Sequence, residues 1–252
     1  MQPVRTVLGV LGASGGIGAS TLSVALGARL ARRGLRAVVV DGHLGRGGID
    51  VTACLEHLPG LRWADLAQAE GPLDAPRLVG ALPRLGDLVV LSSGPPGSPA
   101  PPPPVIDSTL DALGSCCDAL VLDLPHSAYE LPEWLRWCTS AVVLMGLGPR
   151  ALADADAACH VAAKAVTSTW LAVRAQPRQR PLVDRVVTHL DLPLAAQIPM
   201  LPELTSEADR GLVPGDRDRH QLSEAADEVL ERVLGDGSEG AGRAGARRLR
   251  AS

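Results

Sequence analysis

The sequence predicts an α/β fold: a doubly wound, mostly parallel sheet of about seven strands with helices on both faces. Three observations carry that prediction. Short apolar, β-branched runs alternate with longer helical patterns, which is the signature of βαβ units. The strand-like runs are apolar at consecutive positions, as expected where helices cover both sides of a sheet. The first run opens through a glycine-rich loop directly into a helical pattern, "VLGVLGASGGIGASTLSVALGARL" from Val7 to Leu30.

Taken in order, the apolar runs place strands at Thr6–Leu11, Ala37–Asp41, Leu88–Ser92, Ala119–Leu124, Ala141–Leu147, Trp170–Arg174 and Ala195–Ile198. Helical spacing places helices at Ala19–Arg33, Ser108–Ser115, Arg150–Thr167, Pro181–Leu190 and Ser223–Leu234, with two or three short ones between Leu55 and Leu85. The stretch "GPPGSPAPPPP" from Gly94 to Pro104 is expected to be an extended surface connector, because consecutive prolines cannot join a helix or a ladder. Residues 235–252, rich in Gly, Ala and Arg without an apolar stripe, are expected to be a disordered tail behind a single domain of residues 1–234. There is no internal repeat.

The 252 residues suffice for one such domain with a real core. A net charge of −4 argues against a generally basic nucleic-acid-binding surface. The five cysteines form no C-x-x-C pair and no zinc spacing, so they read as reduced thiols, the adjacent Cys116 and Cys117 included. No signal peptide opens the chain, and no apolar run approaches the ~20 residues that span a bilayer. The expectation is a cytoplasmic protein.

The loop admits two phosphate chemistries. As a dinucleotide site, Gly12-x-x-x-Gly16-x-Gly18 follows a strand and opens a helix, and Asp41 ends the next strand at a distance suited to a ribose hydroxyl. "GASGGIG" is similar to the cofactor loop of short-chain dehydrogenases. Those enzymes need a tyrosine and a lysine four residues apart for proton transfer. This chain has one tyrosine, Tyr129, and one lysine, Lys164, and the residue four after Tyr129 is Glu133. An NAD(P)-binding oxidoreductase is therefore the least supported reading.

The second chemistry explains more of the sequence. Gly15-Gly16-Ile17-Gly18-Ala19-Ser20-Thr21 aligns with the deviant Walker A pattern K-G-G-x-G-K-T-T. "VVVDGHLGRGGIDV" carries a strand ending in Asp41, and "ALVLDLP" looks like a Walker B strand ending in Asp123. With "AVVLMGLGPRALADADAA" and "DLPLAAQIPMLPELTSEADRGLVPG", the chain resembles the MinD/ParA family of P-loop ATPases over nearly its whole length. "DGHLGRGGIDVTACLEHLPGLRWADL" is similar to the CpaE/TadZ-like branch, which includes septum site-determining proteins. Members of that branch often carry a receiver-like domain ahead of this one, so the chain is expected to be a short member or part of a longer protein.

The resemblance implies ATP or ADP with Mg as cofactor, held by Gly15, Gly16, Gly18, Ala19, Ser20, Thr21, Asp41 and Asp123. Ser20, Asp41 and Asp123 would serve the metal and its water shell. It also implies a homodimer, protein partners from a cell-division or secretion/pilus system and no specific nucleic acid. Peripheral membrane association, with recruitment to a septum, a pole or the inner membrane face, is compatible with it.

The chain departs from the pattern where charge matters. Ser14 and Ala19 stand at the two lysine positions, and His43 at the second aspartate of the D-x-D element. Phosphoryl transfer depends on positioning and on neutralising developing charge, so both losses weaken it. The backbone nest and helix N-terminus remain, although a tight strand-to-helix turn would need the same glycines. The expectation is a degenerate site with weak or absent nucleotide binding, very slow or absent hydrolysis and no assured catalytic residue, Asp41 being the nearest. The alternative is a weak but genuine Mg-ATPase using a non-lysine cation, with Arg46 the nearest candidate arginine. Lys164 is placed on a distant helix. Arg174 occupies the position where the family often has an asparagine that reads adenine. His126 reads as a loop residue, His160 and His189 lack partners at metal spacing, and the four tryptophans read as packing residues.

Overall fold

The structure is a computed structural model describing residues 6–45 and 47–247. Its strands are β1 (Thr6–Gly12), β2 (Ala37–Asp41), β3 (Arg84–Leu85), β4 (Leu88–Leu91), β5 (Ala119–Asp123), β6 (Ser140–Met145), β7 (Ser168–Arg174) and β8 (Leu194–Ile198). Its helices are α1 (Ala19–Arg32), α2 (Ile49–Thr52), α3 (Trp63–Leu66), α4 (Ala75–Ala81), α5 (Pro103–Cys116), α6 (Leu131–Leu135), α7 (Pro149–Ala165), α8 (Arg180–Leu190), α9 (Glu203–Ala208) and α10 (Gln221–Arg247).

The strands form one sheet in the order β3-β4-β2-β5-β1-β6-β7-β8, parallel throughout except for the β3–β4 pair. This is the expected α/β class. Alternate residues of β1 point to opposite layers, as the period of two requires. Leu8 and Val10 join a core with Leu22 and Leu26 of α1 and Val229 and Leu230 of α10. Val7 and Leu11 join a second core with Leu110 and Leu113 of α5 and Ala155 and Ala162 of α7. Burial on both faces is why the strands read as continuous apolar runs.

Several expectations are corrected. The sheet has eight strands, the extra one being β3, whose two residues are both exposed and carry no alternation to read. It pairs with β4 across the tight turn at Gly86 and Asp87, with Gly86 at φ 58°. The prolines do enter a helix, because α5 begins at Pro103 rather than Ser108. A first-turn proline forfeits no intrahelical bond and brings a preset φ. Helix α10 runs through residues 235–247 of the expected disordered tail, while 248–252 lie outside the described residues. The pattern places no helix at the short α2, α6 and α9, and other strand boundaries move by at most two residues.

The parallel arrangement brings the C-terminal ends of β1, β2, β5, β6 and β7 to one edge of the sheet. The glycine loop follows β1 there, beside the loops after β2 and β5.

Candidate functional site

Between β1 and α1 the chain turns through residues 13–18. The Ala13 N–H donates to the Leu144 carbonyl at 2.8 Å, extending β1 alongside β6. Gly16 and Gly18 lie at φ 73° and 96°, a region that side chains with a Cβ rarely enter. Gly18 precedes α1 without a capping side chain, and the first turn holds no acidic residue. The helix N-terminus thus keeps its partial positive charge.

The loop and first turn (residues 14–21) line a cavity of about 420 Å³ together with Asp41, His43, residues 47–49, Thr52, Asp123 and His126. All eight sequence-selected residues (Gly15, Gly16, Gly18, Ala19, Ser20, Thr21, Asp41 and Asp123) border this one space. The register between β2 and β5 sets Asp41 directly against Asp123.

The two carboxylates are both 1% exposed but are held differently. Asp41 accepts three backbone N–H groups, from His43 at 2.9 Å, Ile49 at 3.0 Å and Ser93 at 3.1 Å. Its own carbonyl accepts the Trp63 indole N–H at 2.9 Å. Asp41 therefore ties the end of β2 to α2, to the end of β4 and to α3. Burial pushes its carboxyl upward while the three amides pull it back. Asp123 accepts the Ser23 hydroxyl at 3.0 Å and is also hydrogen-bonded by Ser20. Burial first, and then the charge of Asp41, push Asp123 up to about 7 against those two hydroxyls.

His43 and His126 were read from the sequence as a lost aspartate and an ordinary loop residue. The structure brings both into the cavity, their rings 5.6 Å apart and tilted by 55°. His43 Nε2 lies 3.8 Å from Asp123 Oδ2. The signal was present in the spacing: His43 is two residues past Asp41, His126 three past Asp123, and the two aspartates are paired neighbours.

No lysine or arginine is among the described residues lining the cavity. Lys164 sits in the last turn of α7, just before β7 starts at Ser168. It belongs to the edge opposite the loop, about 20 Å away along β7. Arg46 lies outside the described residues. Arg174, at the end of β7, does reach the loop, its Nε donating to the Ile17 carbonyl at 2.9 Å. Tyr129 is 94% exposed and remote in sequence and element from Lys164, so the described residues hold no tyrosine–lysine pair at the loop. Trp63, Trp134 and Trp170 are buried, with Trp63 packed edge-on against Trp134 at 6.3 Å.

No family model matches the chain. An uncharacterized protein of Mycobacterium tuberculosis, present in two strains, is 32% identical over 225 residues. That alignment covers 89% of this chain and 63% of the relative, so the chain spans less than two thirds of that protein. Among solved structures, the MinC:MinD cell division protein complex of Aquifex aeolicus matches with a TM-score of 0.76 at 18% identity, covering 91% of this chain and 96% of that one. A ParA family ATPase from Chlorobium tepidum matches with a TM-score of 0.76 at 18% identity, covering 89% and 98%. The septum site-determining protein MinD of Pyrococcus horikoshii, complexed with Mg-ADP, gives 0.67 at 16% identity over 91% and 96%. What the chain shares with these MinD/ParA structures is the fold.

Proposed function

We propose that the chain is a MinD/ParA-like positioning or regulatory protein of the CpaE/TadZ type, acting in septum-site placement or in localising a secretion or pilus machine, with a degenerate nucleotide site. One observation carries this reading. The cavity retains the glycine loop and both strand-end carboxylates, while Ser14 and Ala19 stand where cations would face phosphate.

The residues fit a magnesium nucleotide in part. Ser20 beside the buried carboxylate of Asp123 is an all-oxygen donor set suited to Mg²⁺. Asp41 has less to offer, since three of its roughly four lone-pair sites already hold backbone amides. A bound metal would supply charge neutralisation between phosphate oxygens. The chain's own contribution would be the amides around Gly15–Thr21 and the α1 N-terminus, which orient phosphate without a mobile cation. Such a site binds weakly and turns over slowly or not at all. Function would then rest on contacts with other proteins, and on a homodimer that is either constitutive or absent. The MinC:MinD complex among the fold neighbours is consistent with protein partners. Among the described residues no helix is long and apolar enough to cross a membrane, which suits a cytoplasmic protein recruited to a septum, a pole or the inner membrane face.

Calorimetric titration with Mg-ATP, alongside phosphate release, tests this. Binding weaker than that of lysine-bearing relatives and negligible turnover are expected. Tight binding with steady turnover would sink the degenerate-site reading in favour of a working Mg-ATPase that uses a non-lysine cation. The observation favouring that second reading is the Arg174 guanidinium against the loop. The combined change Ser14→Lys, Ala19→Lys and His43→Asp should increase both binding and hydrolysis. No gain would mean that these positions do not face phosphate.

A further inference from the structure

Arg174 ends β7, and its side chain crosses to the glycine loop. Nε donates to the Ile17 carbonyl at 2.9 Å and Nη1 to the Pro199 carbonyl at 3.3 Å. Nη2 lies so close to Gly18 that a Cβ there would run into it. The guanidinium is therefore seated on the last glycine of the loop, at the start of α1.

Its electrostatic surroundings are unusual for this molecule. The other sequestered arginines face carboxylates: Arg29 pairs with Asp218 and Asp227, both at 2.8 Å, and Arg62 pairs with Asp50 at 3.0 Å. Among the described residues Arg174 has carbonyl acceptors only, and burial pulls its pKa down. Among the described residues no carboxylate pairs with it. A cation withdrawn from water without a counter-charge is costly. One placed at a helix N-terminus also opposes the helix dipole. Both penalties disappear if an anion occupies the loop.

We propose that Arg174, which stands behind the cavity wall at Gly18 rather than among the residues lining the cavity, is the cation nearest this phosphate site, and that the counter-charge it lacks is supplied by a ligand carrying two or more linked phosphates. This rests on the loop being a phosphate cradle and adds which residue charges it. The role left open by Ser14 and Ala19 passes to a side chain from the far side of β6, delivered through the loop's backbone rather than from within the loop. Fixed by two carbonyls, Arg174 neutralises standing charge but has no freedom to follow a departing phosphate. That combination supports binding more than turnover.

Pyrophosphate and a nucleoside diphosphate share the chemistry, and the test separates them. The full chain is titrated with Mg-pyrophosphate and, separately, with Mg-ADP, at low and high salt, with wild type, Arg174→Gln and Arg174→Lys. Wild type should bind at least one probe, more weakly as salt rises. Arg174→Gln should lose about tenfold or more in affinity, as expected when a nearby partly desolvated charge is removed without loss of a direct contact. Arg174→Lys should recover part of it, and ligand-free Arg174→Gln should melt no lower than wild type. If wild type binds and Arg174→Gln binds equally well, Arg174 only holds the loop's carbonyls, and the phosphate-site reading stands without this inference. If neither probe binds wild type, that reading fails and takes this inference with it. If Arg174→Gln melts lower and Arg174→Lys recovers no binding, the residue is structural and the proposal is overturned.

Discussion

At the scale of single residues, the two buried aspartates make opposite demands. Asp41 gives one carboxylate oxygen to the His43 amide and the other to both Ile49 and Ser93. An asparagine offers only one acceptor oxygen, so at least one of those amides would face an NH₂ group. Asp41→Asn should therefore destabilise by about 2 kcal/mol or more, nearly as much as Asp41→Ala. Denaturant unfolding measures it, and a harmless Asp41→Asn would mean that the amide network does not hold the site. Asp123 is held up to about 7 by burial and by Asp41. An unfolded aspartate titrates near 3.9. Between these values the folded state keeps a proton that the unfolded state has released, so this group makes stability fall as pH rises from about 4 to about 7 and stay level above. Asp123→Asn removes that fall while still accepting from Ser23. Its melting temperature relative to wild type should rise between pH 5 and pH 8, and an equal difference at both would contradict the raised value. The glycine loop, Asp41 and Asp123 were all legible as letters at known spacings. The seating of the Arg174 guanidinium on Gly18 and the 5.6 Å approach of the His43 and His126 rings were not, because those contacts follow from strand order and register together.

At the scale of elements, the wall of the cavity formed by α2 is held from behind. Arg62 Nε meets Asp50 Oδ2 at 3.0 Å, and its remaining N–H groups donate to the carbonyls of Leu55, Leu58 and Gly60. The other Asp50 oxygen accepts the Ser92 hydroxyl at 2.8 Å, binding α2 to the end of β4. Gly48 lies against this pair, where a Cβ would strike Ser92 Oγ. Removing one partner of a buried ion pair typically costs about 3–5 kcal/mol, because the other charge stays behind. Arg62→Ala should destabilise on that scale, with faster amide exchange concentrated in residues 47–55. A global loss without that local signature would mean that the clamp does not position α2. The long elements here were readable because each buries a face that imposes a period. The short ones were not: β3 has only two residues, both exposed, α6 is five residues long, and the start of α5 is written in prolines that an interior-helix rule forbids and a first-turn rule allows.

At the scale of the molecule, the sheet is useful because both faces are sealed, and α10 seals much of one of them. Leu222, Val229, Leu230 and Val233 of that helix are each at most 4% exposed and pack with α1 and the strands behind the loop. Arg29, on the same α1 that the loop opens into, adds its pairs to Asp218 and Asp227. Burying those four side chains contributes on the order of 8 kcal/mol, comparable with the entire stability of an ordinary domain. The pattern over Ser223–Leu234 already showed this apolar stripe, and it stops there, although the helix itself continues to Arg247. Helical backbone and domain boundary need not coincide, since a helix without an apolar face gains little from the core. Ending the chain after Leu234 should therefore leave the melting temperature within a few degrees of the full chain. Ending it at His220 should abolish cooperative unfolding, because the layer beneath α1 would face water. If the first truncation also unfolds the protein, residues beyond Leu234 are part of the folded unit, and the domain is larger than its apolar pattern indicates.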